Sequence, residues 1–379
     1  MAKKLLLLLF VASSVAFSQD LKLSALTVNP ELSEGADSVF RNEEITLDLS
    51  REGKLKTLIS RVVTVYNKAG LGDVAAYAGY DNNTKVNSIE AYIYDLSGKE
   101  REHFKERDFK DVSAVDGGTL YADSRVLYLD YTPTTYPFTV HFISETTSET
   151  TAFLRPWMPL SRYKSGTEFS KFTVIYPPEQ TLHVKETRLD GYAIEKEELS
   201  DRTVWTAKDL APITWEYSAP DLDQRVPRVK CFFDTFYLSG VPGIAKTWKD
   251  FGHWMYTDLV KDTQDLDQAT ITEAQALVAG LETDEEKARA IYQYVQDKVR
   301  YISVQVEIGG WKPMNASDVH RLGYGDCKAL SNYTQSLLKA VGIKSYYTVL
   351  YGKSDKESLD TDVVLSLIHI SEPTRLGMI

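Results

Sequence analysis

Apolar and polar residues alternate with a period of two from residue 20 to about 235. Ile45, Leu47 and Leu49 alternate with Thr46 and Asp48. Leu58–Tyr66 is rich in β-branched residues, and Ile89–Tyr94 runs into Leu96-Ser97-Gly98-Lys99, a turn signal. Arg125–Tyr131 alternates, as do Phe138/Val140/Phe142 and Phe172/Val174/Tyr176. Val204-Trp205, Ile213–Tyr217 and Val229–Phe233 continue the series. Such alternation, cut by turn residues at short intervals, predicts a large antiparallel β-sandwich. No sustained internal repeat is visible.

The pattern changes near Gly240. Ile244, Trp248, Phe251, Met255 and Leu259 share one face of a predicted helix. After a polar stretch, Lys261–Thr270, a short helix is expected at about 272–280. Thr283 with Glu286 forms a capping box, in which hydroxyl and carboxylate each satisfy an orphan amide. It opens a helix lined by Ala288, Ile291, Tyr292, Val295 and Val299. Tyr301–Val306 reads as a strand, and Gly309-Gly310-Trp311-Lys312-Pro313 as a loop. A short helix covers Ala316–Leu322. Residues 327–341 form an amphipathic helix with Ala329, Leu330, Tyr333, Leu337, Leu338 and Val341 inward, stopped by Gly342. Ser345–Tyr351 is then a strand. The second half is therefore α+β.

The two ends read differently from the rest. Lys3-Lys4, the apolar run Leu5–Ala12 and Ala16-Phe17-Ser18 have the order of a secretory signal peptide, with cleavage expected after Ser18. The run is too short to span a bilayer, which takes about 20 residues. A secreted or periplasmic protein with no integral membrane segment after cleavage is expected. At the other end, Leu365–Arg375 resembles the translation of a sequencing-library adapter, so 365–379 is set aside as a tail. The resulting organisation is a signal peptide (1–18), an all-β domain (19–238), an incomplete α+β domain (239–364) and the tail (365–379).

Composition narrows the function. The chain has 379 residues and a formal net charge of -11, which argues against binding nucleic acid through phosphate neutralisation. The 2 cysteines, Cys231 and Cys327, cannot make a disulfide scaffold. No His pair has helical i, i+4 spacing and no phosphate or dinucleotide loop occurs, so no metal or cofactor is expected. Three glycosylation sequons, at Asn82, Asn315 and Asn332, are read as chance. Oligomeric state is left open.

Tyr324-Gly325-Asp326-Cys327-Lys328 is the informative segment. It places Cys327 in the first turn of a helix, behind a plausible N-cap, Asp326. An ordinary thiol with a pKa of about 8.5 is only roughly 3% thiolate at pH 7. A helix N-terminus favours the anion, and its free amides can face an oxyanion forming beside the sulfur. Asp326 is expected to point at its own helix amides. Position alone leaves two readings open, a nucleophile and a buried thiol packed as a small hydrophobe.

Arg300-Tyr301-Ile302, Gly309-Gly310-Trp311-Lys312-Pro313, Ala316-Ser317-Asp318-Val319 and Tyr324-Gly325-Asp326-Cys327-Lys328-Ala329-Leu330-Ser331 together resemble the transglutaminase-like superfamily, of the papain-like cysteine fold. In similar secreted bacterial proteins an all-β domain of unknown function precedes that core. The resemblance implies a Cys-His-Asp triad in that chain order, with Cys327 as nucleophile and a protein or peptide amide as substrate. It implies the histidine on a strand after Ser345–Tyr351, where the chain reaches only Val364 before the tail. His369 lies 42 residues after Cys327, but within the adapter-like stretch, and is rejected. His320 lies on the wrong side of Cys327. His103, His141, His183 and His253 are read as surface or packing residues, and Asp360 and Asp362 as a solvated loop. Trp311 is a candidate cleft-lining residue, with a loop anchor as the alternative. Two functions follow: a secreted cysteine peptidase, amidase or acyl transferase, inactive as this chain, or a non-catalytic envelope binding or scaffold module.

Overall fold

A computed structural model describes residues 23–114 and 119–349. The β-rich half begins with a one-turn helix, α1 (Pro30–Ser33), and the long strands β1 (Ser38–Asp48) and β2 (Leu55–Val65). A second one-turn helix, α2 (Leu71–Val74), is followed by β3 (Tyr77–Tyr80), β4 (Thr84–Tyr94), β5 (Glu100–Lys105) and β6 (Lys110–Ser113). Next come β7 (Thr119–Ala122), β8 (Arg125–Tyr128), β9 (Phe138–Ser148) and β10 (Ser165–Ile175). The half closes with β11 (His183–Thr187), β12 (Ile194–Glu198), β13 (Arg202–Leu210) and β14 (Arg228–Phe232).

Eight of these strands form one sheet in the order β12-β13-β10-β1-β2-β9-β4-β5, antiparallel except for the β1–β10 pair. Paired residues share a face. Register therefore sets Trp205, Phe172, Ile45 and Ile59 in one row. That face is covered by two smaller sheets, β11-β14 and β3-β8-β6. Val229 and Cys231 of β14 join the core of Ile45, Phe172, Trp157 and Trp205. Ala78 of β3 and Leu127 of β8 close over Ile89, Ala91 and Phe142. Each such fully buried large side chain contributes about 1.5–3 kcal/mol. The opposite face is more polar. There Tyr92 stacks on His103, with centroids 4.1 Å apart, and lies 6.0 Å from His141. The alternation is thus the signature of one buried face. Ile213–Tyr217 is an exception: it forms no strand, and its Trp215 and Tyr217 stand exposed with no ladder partner.

The hairpin β15 (Thr235–Leu238) and β16 (Val241–Ile244) leads into the second half. Here the expected helical face is broken. Ile244 is an exposed strand residue, and the helix α3 (Trp248–Trp254) starts after it, capped by Thr247 and Asp250. The helix widens into a π turn, Met255–Val260, whose Met255, Leu259 and Val260 are buried. Helices α4 (Gln268–Leu277) and α5 (Asp284–Lys298) follow. The predicted capping box closes: Thr283 Oγ1 accepts from the Glu286 amide at 3.2 Å, and Glu286 accepts from the Thr283 amide at 3.0 Å.

The strand predicted at Tyr301–Val306 is two short pieces, β17 (Arg300–Tyr301) and β18 (Ser303–Gln305). Helix α6 (Ala316–Leu322) ends at Gly323, whose φ of 70° is the left-handed cap conformation. Strand β19 (Tyr324–Gly325) pairs in parallel with β17, and α7 (Cys327–Ala340) begins two residues on. Ala329, Leu330, Tyr333 and Leu337 of α7 pack against Ile291 and Val295 of α5 and Val319 of α6. The strand expected at Ser345–Tyr351 is not formed over 345–349, which has no ladder partner among the described residues. Leu350 and Tyr351 lie outside the described residues, as do the signal-peptide segment, the tail, Asp360, Asp362 and His369. Among the described residues no helix is long and apolar enough to cross a membrane.

Candidate functional site

Cys327 is the first residue of α7, a helix of 14 residues. Two local devices put it there. Gly325 lets β19 approach the helix closely: a Cβ at that position would lie 2.8 Å from the Ala329 Cβ. Asp326 then caps the helix, its Oδ1 accepting from the Ala329 amide at 2.8 Å. The carboxylate therefore points into its own helix, as the sequence reading expects. Its other oxygen meets the Lys328 ammonium at 2.5 Å, in a pair with both side chains almost fully buried. The sequence reading missed this pair. Its only signal was a lysine two residues after the cap, on what the pattern makes a buried turn. The ammonium offsets the carboxylate charge beside the sulfur, which would otherwise oppose a thiolate.

Cys327 is covered, at 2% exposure, and itself borders neither of two concavities near the start of α7. On one side Asp326 and Ala329 join Ile302, Val304, Val306, Ile308, Gly309, Lys312, Pro313, Met314 and Tyr324 around a cavity of about 270 Å³. On the other is Tyr347. Burial pushes its phenol up, with smaller electrostatic contributions from Cys327 and Asp326. Tyr347 in turn lines a groove of about 740 Å³ with Trp248, Phe251, Met255 and Val349.

Trp311, the candidate cleft wall, borders neither concavity. Its ring stacks on Phe153 with centroids 5.1 Å apart and packs against the cluster of Phe236, Phe251 and Trp254. It is a loop anchor. An indole this large is better satisfied by that aromatic cluster than by a small cavity. Its neighbours Gly309, Lys312 and Pro313 face the cavity instead.

The described histidines have other work. His320 Nδ1 lies 2.8 Å from the Tyr333 hydroxyl and its Nε2 3.7 Å from Glu273. It belongs to a polar network between helices, to which Tyr294 adds a 2.8 Å bond to Glu273. His141 faces Ser60 at 3.0 Å, His103 faces Glu90 at 2.9 Å, and His183 lies 2.9 Å from Asp234. His253 is exposed on α3. Asn332, in one of the sequons, is fully buried and donates to Thr263 at 3.0 Å, so it is no glycan acceptor in the folded protein. Among the described residues no group of three or more His, Cys, Asp or Glu side chains gathers as a metal site.

This arrangement defines a class: a β-rich domain followed by an α+β domain with a cysteine at the start of a buried helix. The family comparisons agree. The profile of the transglutaminase-like superfamily matches residues 271–369, and that of a domain of unknown function, DUF3857, matches residues 51–214. The chain carries a transglutaminase-like superfamily domain preceded by a DUF3857 domain. The first match ends at His369, inside the stretch set aside as a tail. No curated protein matches the chain. A crystal structure of a candidate protease from Parabacteroides distasonis is similar over 81% of this chain and 59% of its own, with a TM-score of 0.55 and 14% identity. The likeness is one of fold, and the chain spans about three fifths of that structure. An M1 zinc metallopeptidase from Deinococcus radiodurans shares 10% identity over 54% of this chain and 45% of its own. Its TM-score of 0.24 carries no argument.

Proposed function

We propose that the C-terminal domain comes from a secreted cysteine enzyme that acts on amides of proteins or peptides. The observation that carries the reading is Cys327 at the head of α7, with Asp326 turned into the helix and charge-compensated by Lys328. The thiolate attacks the carboxamide carbon, the C–N bond breaks, and the amine leaves with a proton. The acyl group remains as a thioester on the sulfur. Water resolves it in a peptidase or amidase, and a second amine in an acyl transferase. Helix amides beside the sulfur would stabilise the oxyanion.

The reaction needs a histidine to deliver and take the proton. The partners described above for the histidines do not include Cys327, and His369, where the transglutaminase-like match ends, lies outside the described residues. Secretion rests on the residue 1–18 pattern. The test has two parts. Sequencing the native gene beyond codon 364 should show a His in the next strand and an Asp after it. Expressing that gene and treating the product with a thiol-directed acyl probe should label Cys327. An intact fold with no label there would sink the enzyme reading.

One observation favours a second reading. The cysteine is 2% exposed, which suits a non-catalytic envelope module in which α7 is scaffold. Other residues than His and Asp in the native continuation would support it.

A further inference from the structure

Most of the wall of the cavity near Cys327 comes from one stretch of chain, residues 302–313. It supplies Ile302, Val304, Val306, Ile308, Lys312 and Pro313. Both ends of that stretch are held by the first half of the molecule. At one end β18 pairs in parallel with β7, with Val304 opposite Tyr121, and the Asp123 amide donates to the Gln305 carbonyl at 3.3 Å. At the other end Trp311 stacks on Phe153, centroids 5.1 Å apart and planes 22° from parallel. Phe153 is itself fixed: the amides of Thr151 and Ala152 both donate to the Tyr237 carbonyl, at 2.8 and 3.1 Å. The next residue, Leu154, is buried in the core of the β-domain.

Between these two clamps the wall carries one short turn, Glu307–Gly310, with the Trp311 and Lys312 amides donating to the Ile308 carbonyl at 2.8 Å, and the Ile302 amide donates to the Gly325 carbonyl at 3.0 Å. β18 is 3 residues long, and among the described residues β7 is its one ladder partner. Gly309 and Gly310 have no atom within 4 Å of where a Cβ would stand. A 3-residue strand and one turn carrying two glycines leave backbone ordering, about 1–2 kcal/mol per residue, to be met in part by the two clamps. The shape of the cavity is therefore set partly from outside its own domain.

We infer that the N-terminal domain is a working part of the site: β7 and Phe153 are positioning residues that hold the 302–313 wall against Cys327. The inference rests on the proposed function only in taking this cavity as the place where substrate meets the sulfur. It gives the β-domain a role in the chemistry that mere linkage would not.

The test uses the full chain and reads the wall and the sulfur separately. Phe153→Ala removes one clamp. Asp123→Pro removes the amide donated to Gln305 and leaves the aromatic stack in place. Hydrogen exchange reads residues 302–313, and alkylation by iodoacetamide, mapped by peptide mass spectrometry, reads Cys327 against Cys231. Each variant should speed exchange across the wall and raise Cys327 alkylation about tenfold, with Cys231 unchanged. Phe153→Trp, which keeps an aromatic partner for Trp311, should return both to the parent values. If Phe153→Ala does not fold, Asp123→Pro decides alone. Unchanged exchange across 302–313 in a folded variant overturns the inference. So does faster exchange with Cys327 alkylation unmoved. Failure of the acyl probe on the native gene product would count against the enzyme reading and leave the exchange result standing.

Discussion

The two cysteines are nearly equal in burial and opposite in setting. Cys231 is 5% exposed and lies in the middle of β14, with Val229 and Trp157 in an apolar core. Burial pushes its thiol well up, and Lys196 only partly counters this. Cys327 is 2% exposed and begins a helix, next to a buried ion pair and a cavity. A burial figure alone would class them together. What separates them is the element each occupies: strand interiors surround a sulfur with side chains, whereas a helix start surrounds it with amides and a cap. The proposal that Cys327 is a nucleophile rests on that second setting.

Removing Asp326 should damage the Cys327 region most. Asp326→Ala loses the cap and leaves Lys328 buried without its partner. The expected cost is about 3–5 kcal/mol, measured by denaturant unfolding. Asp326→Asn keeps the cap acceptor and should cost less. An Asp326→Ala protein as stable as the parent would mean the ion pair does not order the start of α7.

Gly325→Ala tests the approach of β19 to α7. The new Cβ meets a Cβ fixed to the helix backbone at 2.8 Å, so strand or helix must move. About 1–3 kcal/mol is expected from thermal melts, with faster exchange at the start of α7. No change in either would show that the pair has slack.

Serine at the two cysteines should separate them in the opposite sense. Cys231→Ser puts a hydroxyl into an apolar core and should cost about 1–3 kcal/mol. Cys327→Ser stands among polar groups and should cost less than about 1 kcal/mol while abolishing probe labelling. Equal costs would break the comparison.

The smallest effect is on pH. His141 in the β-domain and His320 in the helical domain both have pKa values lowered, chiefly by burial; at His320 the Lys298 charge adds to this, against Glu273 and Asp267. The folded state therefore binds a proton less readily than the unfolded one. Stability is full above about 6.5 and falls as the pH drops below that value. Stability is expected to fall between pH 7.5 and 5. His141→Asn and His320→Asn should each flatten their share of the slope, read by melts across that range. A slope unchanged in both variants would contradict the assignment.

What could be read in the sequence was local. Thr283 with Glu286, Asp326 before Cys327, and Gly342 after α7 all stand within a few residues of the feature they mark. Their hydrogen bonds are made inside that window. Ile45, Phe172 and Trp205 were legible as inward residues because strand alternation needs no knowledge of the partner. What failed was long-range. Ile213–Tyr217 alternates but finds no ladder, and Ile244 carries the helical spacing but pairs with Thr235 in β16. The parallel β1–β10 pair joins positions 127 apart, as Ser38 with Ser165 shows. The β7–β18 pair and the Phe153–Trp311 stack unite residues from separate halves. Nothing in either segment's own pattern marks the other. Lys328 was missed because lysines are mostly exposed, and its burial depends on the carboxylate two residues away.

The most direct measurement is site-mapped labelling of the folded, full-length native gene product with a thiol-directed acyl probe. Selective label on Cys327, with Cys231 unmodified until the protein is unfolded, is the predicted result. Label absent from Cys327 in the folded protein, or shared evenly between the two cysteines, would contradict the claim that the helix start sets Cys327 apart.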